Sequence, residues 1–266
     1  MSDRELTLEA YTKYSSVKFH DNLEILTFNC PDFNTFKADI TGLTTLREFA
    51  LNKINFTSNP TLNDILRILE NNTKLENVDI KINYEPEPRV KLEGRIKLPE
   101  LKSLSVTSQN WEDAKYMISR ICIPKTELIT VNIGCSLKAI PLDDVLEYIK
   151  NVTVSFILVA IELSGVYKQA KITWGGKNGE TFYFSYVSNQ EVCAALAGER
   201  PAANFSWENI TRLELTLDDN TPPLSPNKSV FPALTSVTIH GWQGNRKDEG
   251  IELESFFTSC ISENKR

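Results

Sequence analysis

Two histidines, His20 and His240, are the only imidazoles in a chain of 266 residues. A Ser-His-Asp or Cys-His arrangement needs one of them as the base beside its nucleophile. They lie some 220 residues apart in sequence, and no Gly-x-Ser-x-Gly elbow is present to present a serine. The run Gly175-Gly176-Lys177-Asn178-Gly179 superficially offers a phosphate cradle. A phosphate loop of that kind leads into a helix through Gly-Lys-Ser/Thr, whereas here a strand-like segment, Thr181 to Tyr186, follows, so the run reads as a turn. The acidic pairs Asp143-Asp144 and Asp218-Asp219 could serve as acid and base. The first reads more simply as dipole compensation in the opening turn of a helix, and the second as the start of a loop. Cys30, Cys122, Cys135, Cys193 and Cys260 are odd in number and form no Cys-x-x-Cys pair, which offers neither a zinc ribbon nor a redox motif. The sequence therefore predicts no enzyme, no cofactor and no metal.

What the chain does carry is a rhythm. The pattern Leu-x-x-Leu-x-Leu recurs about nine times, clearest at Leu23/Leu26/Phe28, Leu46/Phe49/Leu51, Leu75/Val78/Ile80, Leu101/Leu104/Val106 and Leu128/Val131/Ile133. It returns at Ile210/Leu213/Leu215 and Leu234/Val237/Ile239, with looser copies at Val154/Ile157/Val159 and around Phe182 to Tyr186. The spacing of roughly 26 residues lies in the leucine-rich-repeat range. Repeats of that kind bury their apolar faces against their neighbours. The predicted fold is thus α/β: a right-handed leucine-rich-repeat solenoid with a parallel sheet on its concave side and mixed helices and loops on its convex side. One domain over 1–266 is expected, with a partial cap within 1–20 and a β-hairpin excursion over 168–187.

Helical returns are legible from their start signals. Thr61 with Asp64 three residues later resembles a capping box, ahead of an apolar stripe at Leu62, Ile65, Leu66 and Leu69. Trp111 to Ile121 opens with Glu112 and Asp113, and Pro141 precedes the stripe Leu142, Val145, Leu146, Ile149. Shorter helices are predicted at Glu191 to Ala197 and Leu253 to Ile261. Lys171 to Trp174 and Thr181 to Tyr186 flank the glycine run as a hairpin would.

A net charge of −6 and a pI near 5.2 argue against a nucleic-acid surface, which needs a basic excess. The longest apolar run, Val152 to Leu163, is too short to span a bilayer. The charged start Met1-Ser2-Asp3-Arg4-Glu5 lacks the apolar stretch of a secretory signal. Six Asn-x-Ser/Thr sequons then read as chance, and an intracellular, cytoplasmic or nuclear, location is expected.

The openings Leu98-Pro99-Glu100-Leu101-Lys-Ser-Leu104 and Phe231-Pro232-Ala233-Leu234-Thr-Ser-Val237, with divergent middle units, resemble the leucine-rich region of fungal F-box proteins. The resemblance covers roughly residues 20 to 260. It implies the substrate-recognition part of a ubiquitin-ligase adaptor, while the short apolar run separately predicts no membrane partner. Residues 1 to 22 are too few for the F-box, and Leu6-Thr-Leu8-Glu-Ala10 lacks its hallmarks. Docking to a cullin-type ligase adaptor is therefore expected only if an F-box is supplied upstream. A stand-alone repeat scaffold or regulator is the alternative.

Strand alternation turns Thr27, Ala50, Asp79, Ser105, Asn132, Glu214 and Thr238 outward in one row, flanked by Glu48, Asn77, Ser103, Thr130, Arg212 and Ser236. A protein-binding face is accordingly expected at Asn77, Asp79, Asn132, Arg212, Glu214, His240 and Trp242. Phe156 and Phe184 are weaker candidates, because a one-residue change of register would make them core.

Overall fold

The computed structural model describes residues 4–9, 19–29, 36–52, 60–82, 94–108, 110–122, 128–133, 140–150, 156–164, 169–198, 207–217 and 230–240. They form a mixed α/β fold whose sheet strands are mostly parallel, in two compact units, Met1–Ser136 and Leu137–Arg266.

The first unit alternates strand and return. Its strands are β1 (Glu5–Glu9), β2 (Ile25–Asn29), β3 (Glu48–Leu51), β4 (Asn77–Ile82), β5 (Ile96–Lys97), β6 (Ser103–Ser108), β7 (Ile121–Cys122) and β8 (Leu128–Ile133). Helices α1 (Lys37–Thr41), α2 (Leu62–Asn71) and α3 (Trp111–Arg120) lie in the returns. Strands β1, β2, β3, β4, β6 and β8 pair side by side in that order, all parallel, while β5 and β7 form a separate short pair. The repeated leucines become aligned inward rows: Leu26, Phe49, Val78, Leu104 and Ile129 pair in register and none exceeds 2% exposure. Each such side chain withdraws enough apolar area to contribute roughly 1.5–3 kcal/mol. The stripe Leu62, Ile65, Leu66, Leu69 of α2 is buried as well, with Ile68 beside it. Its predicted capping box is complete: Thr61 Oγ1 accepts from Asp64 N–H, and Asp64 Oδ2 accepts from Thr61 N–H at 3.0 Å.

The same hydrogen bonds recur at each step from β1 to β6. Just ahead of the strands, the carbonyls of Arg4, Glu24, Arg47 and Glu76 each accept from two consecutive amides of the next repeat. Leu23, Leu75 and Leu101 each donate their N–H to the carbonyl three residues back, closing a tight turn. Leu46 departs from this scheme. Its N–H goes to Asn72 Oδ1 at 2.9 Å, and Asn72 Nδ2 donates to the Leu43 carbonyl that the turn would otherwise use, and also to Ile68. A fully buried amide from the following repeat thus substitutes for a backbone bond.

One strand is phased differently from the spacing. The sequence places Leu128/Val131/Ile133 level with Leu101/Leu104/Val106, but β8 pairs Ile129 with Leu104 and Val131 with Val106. The repeat is displaced by two residues, and Leu128, read as an inward position, faces out at 40% exposure. Lateral hydrogen bonding, rather than the leucine spacing, decides the phase. Residues 5–9, within the expected cap segment, form an edge strand whose Leu8 is buried.

The same strand-leading residues carry alternating charge: Arg4, Glu24, Arg47, Glu76, Lys102. Arg4 pairs with Glu24 at 3.1 Å, and Glu76 takes Arg47 on one oxygen and Lys102 on the other. The Lys102 hydrogen bond, ahead of those from Arg47, holds the Glu76 carboxyl below its ordinary 4.5. A lowered folded-state pKa contributes stability that is complete above the unfolded value and fades as pH falls through the folded one. We expect acid titration of the folded chain below pH 4.5 to weaken the first unit. In Glu76→Gln, the melting temperature should fall less between pH 5 and 3 than in the wild type; identical slopes would remove this ladder from the account.

The second unit holds α4 (Leu142–Lys150), β9 (Phe156–Ser164), β10 (Gln169–Gly176), β11 (Thr181–Ser188), α5 (Asn189–Leu196), β12 (Arg212–Leu217) and β13 (Ser236–His240). The expected hairpin is present: β10 and β11 are antiparallel around Gly176–Glu180, with Gly179 at φ 94°, a conformation that favours glycine. It extends further than the sequence suggests, because β9 is also antiparallel to β10. Consequently β11, read as a degraded repeat, ends a meander in which β10 runs against its neighbours, while β9, β12 and β13 pair in parallel. Helix α4 buries Leu142, Val145 and Leu146 of the stripe predicted for it, α5 begins at Asn189, two residues ahead of the predicted Glu191, and Ser188 caps α5 through Glu191 N–H. The segment Leu253 to Ile261 lies outside the described residues.

The inward rows here are Phe182, Trp174, Val159, Leu213 and Phe184, Ile172, Ile161, Leu215, all at most 1% exposed. The repeat read as Val154/Ile157/Val159 is again displaced by two: Val159 pairs with Leu213 and Ile161 with Leu215, which leaves Phe156 at the opening position of Ile210. Phe156 and Phe184, candidates for the outward face, are core. Phe156 meets Phe182 edge-on at 5.1 Å, and Phe184 meets Trp174 at 6.0 Å. An irregularity in the β9–β10 pairing between Gly175 and Gly176 resets the alternation at Phe156.

Candidate functional site

What the first unit presents outward is a grid of mostly polar side chains. Its central row, in register, is Thr7, Thr27, Ala50, Asp79, Ser105, Thr130; the row towards the strand starts is Ile25, Glu48, Asn77, Ser103, Leu128. Side chains alternate faces along a strand, so burial of one row exposes the other. Of the residues singled out from sequence, Asn77 and Asp79 sit together here on β4. Asn77 Nδ2 donates to Glu48 Oε1 across the strand gap at 3.2 Å. Asp79 Oδ2 lies 3.6 Å from Lys81 Nζ, which donates at 3.0 Å to Asn52 Oδ1. Asp79 Oδ1 is shielded from solvent and has no hydrogen-bond partner. Asn132 pairs through its backbone with Thr107, not at the level of Ser105 where the spacing puts it, and its side chain is outside the described ones. The two-residue displacement of β8 causes that correction.

The outward face of the second unit is richer in large side chains. Arg212, Glu214 and His240 are gathered there: Arg212 and Glu214 form an ion pair at 3.3 Å, and His240 stands exposed on β13 opposite Thr216 of β12. Around them in register lie Leu158, Gly175 and Ser236, then Tyr183, Thr173, Ala160 and Thr238. Leu158 lies across Gly175, where an added Cβ would come within 3.1 Å of its Cδ2. Lys171 pairs with Glu162 at 2.9 Å along the next row. Tyr183 is the kind of anchor that carries binding energy, and sequence reasoning passed over both it and its outward neighbour Leu158. Their signal is the alternation itself: once Phe156 and Phe184 are inward, Tyr183 must point out. Trp242 lies outside the described residues.

Catalytic or metal chemistry finds no constellation among the described residues. No group of three or more His, Cys, Asp or Glu side chains is placed to hold a metal ion. Cys122 and Cys193 are free thiols, and burial pushes that of Cys193 up to about 11, away from the reactive thiolate. Asp143 and Asp144 are in the first turn of α4, and Asp218-Asp219 lie outside the described residues. Along the strand-leading turns of the first unit runs an open depression of about 410 Å3, lined by Glu24, Arg47, Lys74 and Glu100 among others, with both charge signs interleaved. No described helix is long and apolar enough to cross a membrane. Compared with protein-family models, curated proteins and solved structures, the chain matches none.

Proposed function

We propose that this chain is a leucine-rich-repeat solenoid that binds another protein through the outward face of its sheet, without catalysis. It resembles in this the substrate-recognition region of an F-box-type ubiquitin-ligase adaptor. The observation that carries the reading is the in-register row Thr27, Ala50, Asp79, Ser105, Thr130. Five parallel strands present a continuous, water-compatible surface of short side chains, which leaves a flat backbone-supported platform free for a partner. Folded repeats with little else to do chemically supply a rigid frame, and binding needs only that frame and a few anchors. On this reading the described chain contributes the recognition half, and a ligase connection would run through an F-box.

Affinity capture from lysate with the chain and with Ser105→Arg, compared by quantitative mass spectrometry, tests it. An outward arginine in the middle of the row leaves the core untouched, so melting should not change. A partner retained by the wild type and reduced at least about tenfold by Ser105→Arg is expected. Equal retention of every captured protein by both would overturn the reading. Purified cullin adaptor subunit should not be retained by this chain alone.

A further inference from the structure

We propose that the hairpin tip of the second unit is a modification site, where Asn178 deamidates spontaneously and the Glu180 carboxylate holds the reaction back. Asn178 and Gly179 form the only Asn-Gly pair in the chain. Both are exposed on the turn between β10 and β11. Chain neighbours aside, no described atom stands within 4 Å of where a Gly179 Cβ would be. Glycine here supplies the positive φ of the turn and leaves its own nitrogen unhindered. In the reaction that nitrogen gives up its proton to hydroxide and attacks Asn178 Cγ. The new C–N bond closes a five-membered succinimide. The Cγ–Nδ2 bond breaks, and the nitrogen leaves as ammonia with a proton from water. Water then opens the ring at either carbonyl, giving aspartate or isoaspartate. Nothing is oxidised or reduced, and water is the sole co-reactant.

The folded turn opposes this attack at two places. Gly179 N–H is engaged with the Gly176 carbonyl, although at 3.3 Å this bond is longer than the 2.7 Å from Gly176 N–H to the Glu180 carbonyl. The Glu180 carboxylate grips Asn178 twice: Oε2 accepts from its backbone N–H at 3.0 Å, and Oε1 accepts from Nδ2 at 3.1 Å. With main chain and carboxamide tied to one carboxylate, Cγ cannot swing freely over the Gly179 nitrogen. The negative charge beside it also disfavours the amide anion that must form. Glu180's own N–H, ahead of the donors from Asn178, holds that carboxyl below its ordinary 4.5, so the grip is charged at neutral pH. Deamidation destroys it. An aspartate at 178 lacks the Nδ2 donor and sets a second carboxylate against Glu180, and isoaspartate adds a methylene to the main chain of the turn.

The test incubates the full chain, Glu180→Ala and Glu180→Gln at mildly alkaline pH in water enriched in oxygen-18. Peptide mass spectrometry then reads the label gained at each asparagine. In the wild type, Asn178 should be labelled ahead of Asn209, which is also exposed but is followed by isoleucine. Glu180→Ala should raise the Asn178 rate at least about fivefold, because a hydrogen bond to a charged acceptor restrains its donor by at least that factor. Glu180→Gln keeps an acceptor without the charge and should fall between the two. Unfolded in guanidinium, wild type and Glu180→Ala should deamidate at closely similar rates, since the grip exists only in the folded turn. Labelling of Asn178 no faster than Asn209 would overturn the site. Equal folded rates in wild type and Glu180→Ala, or a difference that persists on unfolding, would overturn the role of Glu180.

Discussion

Replacing Asn72 by alanine is expected to destabilise the first unit by about 2–5 kcal/mol, read from urea unfolding of the purified chain. The reason is a substitution within the repeat scheme. Elsewhere the first repeat leucine closes a turn on its own backbone, but Leu46 N–H and the Leu43 carbonyl reach each other only through the Asn72 amide. Asn72 is fully buried, so alanine leaves a donor and an acceptor without water or protein. Each such group costs roughly 1–3 kcal/mol. Asn72→Asp keeps the acceptor for Leu46 and loses both donations, to Leu43 and Ile68; it also buries a charge, so it should be no milder. A loss below about 1 kcal/mol for alanine would mean that the turn recloses on its own backbone.

Phe184→Ala should cost about 3–5 kcal/mol and Tyr183→Ala about 1 kcal/mol or less, although the two are neighbours in one strand. Phe184 is fully buried, edge-on to Trp174, in the row that continues through Ile172, Ile161 and Leu215. Its removal opens a cavity in a packed layer. Tyr183 stands on the opposite face beside Thr173, where truncation opens no cavity in the packed layer. The contrast matters for function as well as stability, since it decides which aromatic is available to a partner. Comparable losses at both positions would place the alternation of β11 in error and with it the outward face of the second unit.

How far the sequence foretold this depends on what sets each feature. Helix starts are local, and the Thr61–Asp64 box and the acidic first turn of α3 were legible because their donors and acceptors lie within four residues. The inward rows from Leu26 to Leu104 were legible because the apolar spacing and the strand pairing agree there. At β8 and β9 they disagree by two residues, and pairing prevails: a backbone ladder must align, whereas a leucine can move to the surface, as Leu128 does. Asn132 was therefore placed level with Ser105 when Thr130 holds that position. In the second unit the glycine turn announced the hairpin, but the equally short connection between β9 and β10, which pair from Ser164 with Gln169 onward, was passed over because β9 was read as one more unit of the repeat. The phase error there put Phe156 and Phe184 outward and hid Leu158 and Tyr183. Asn72 escaped notice for a related reason. Its two principal partners are 26 and 29 residues away.

Side-chain footprinting of the chain with and without its captured partner is the most direct measurement of whether the outward face binds. Carbodiimide labelling reads Glu48 and Asp79, and carbene insertion reads Leu128, Leu158 and Tyr183. Protection on binding at Glu48 and Asp79, with labelling unchanged at Glu70 and Glu112 on the helices, is the predicted result. Protection confined to the helices, with Glu48 and Asp79 labelled as fully as in the free chain, would contradict it.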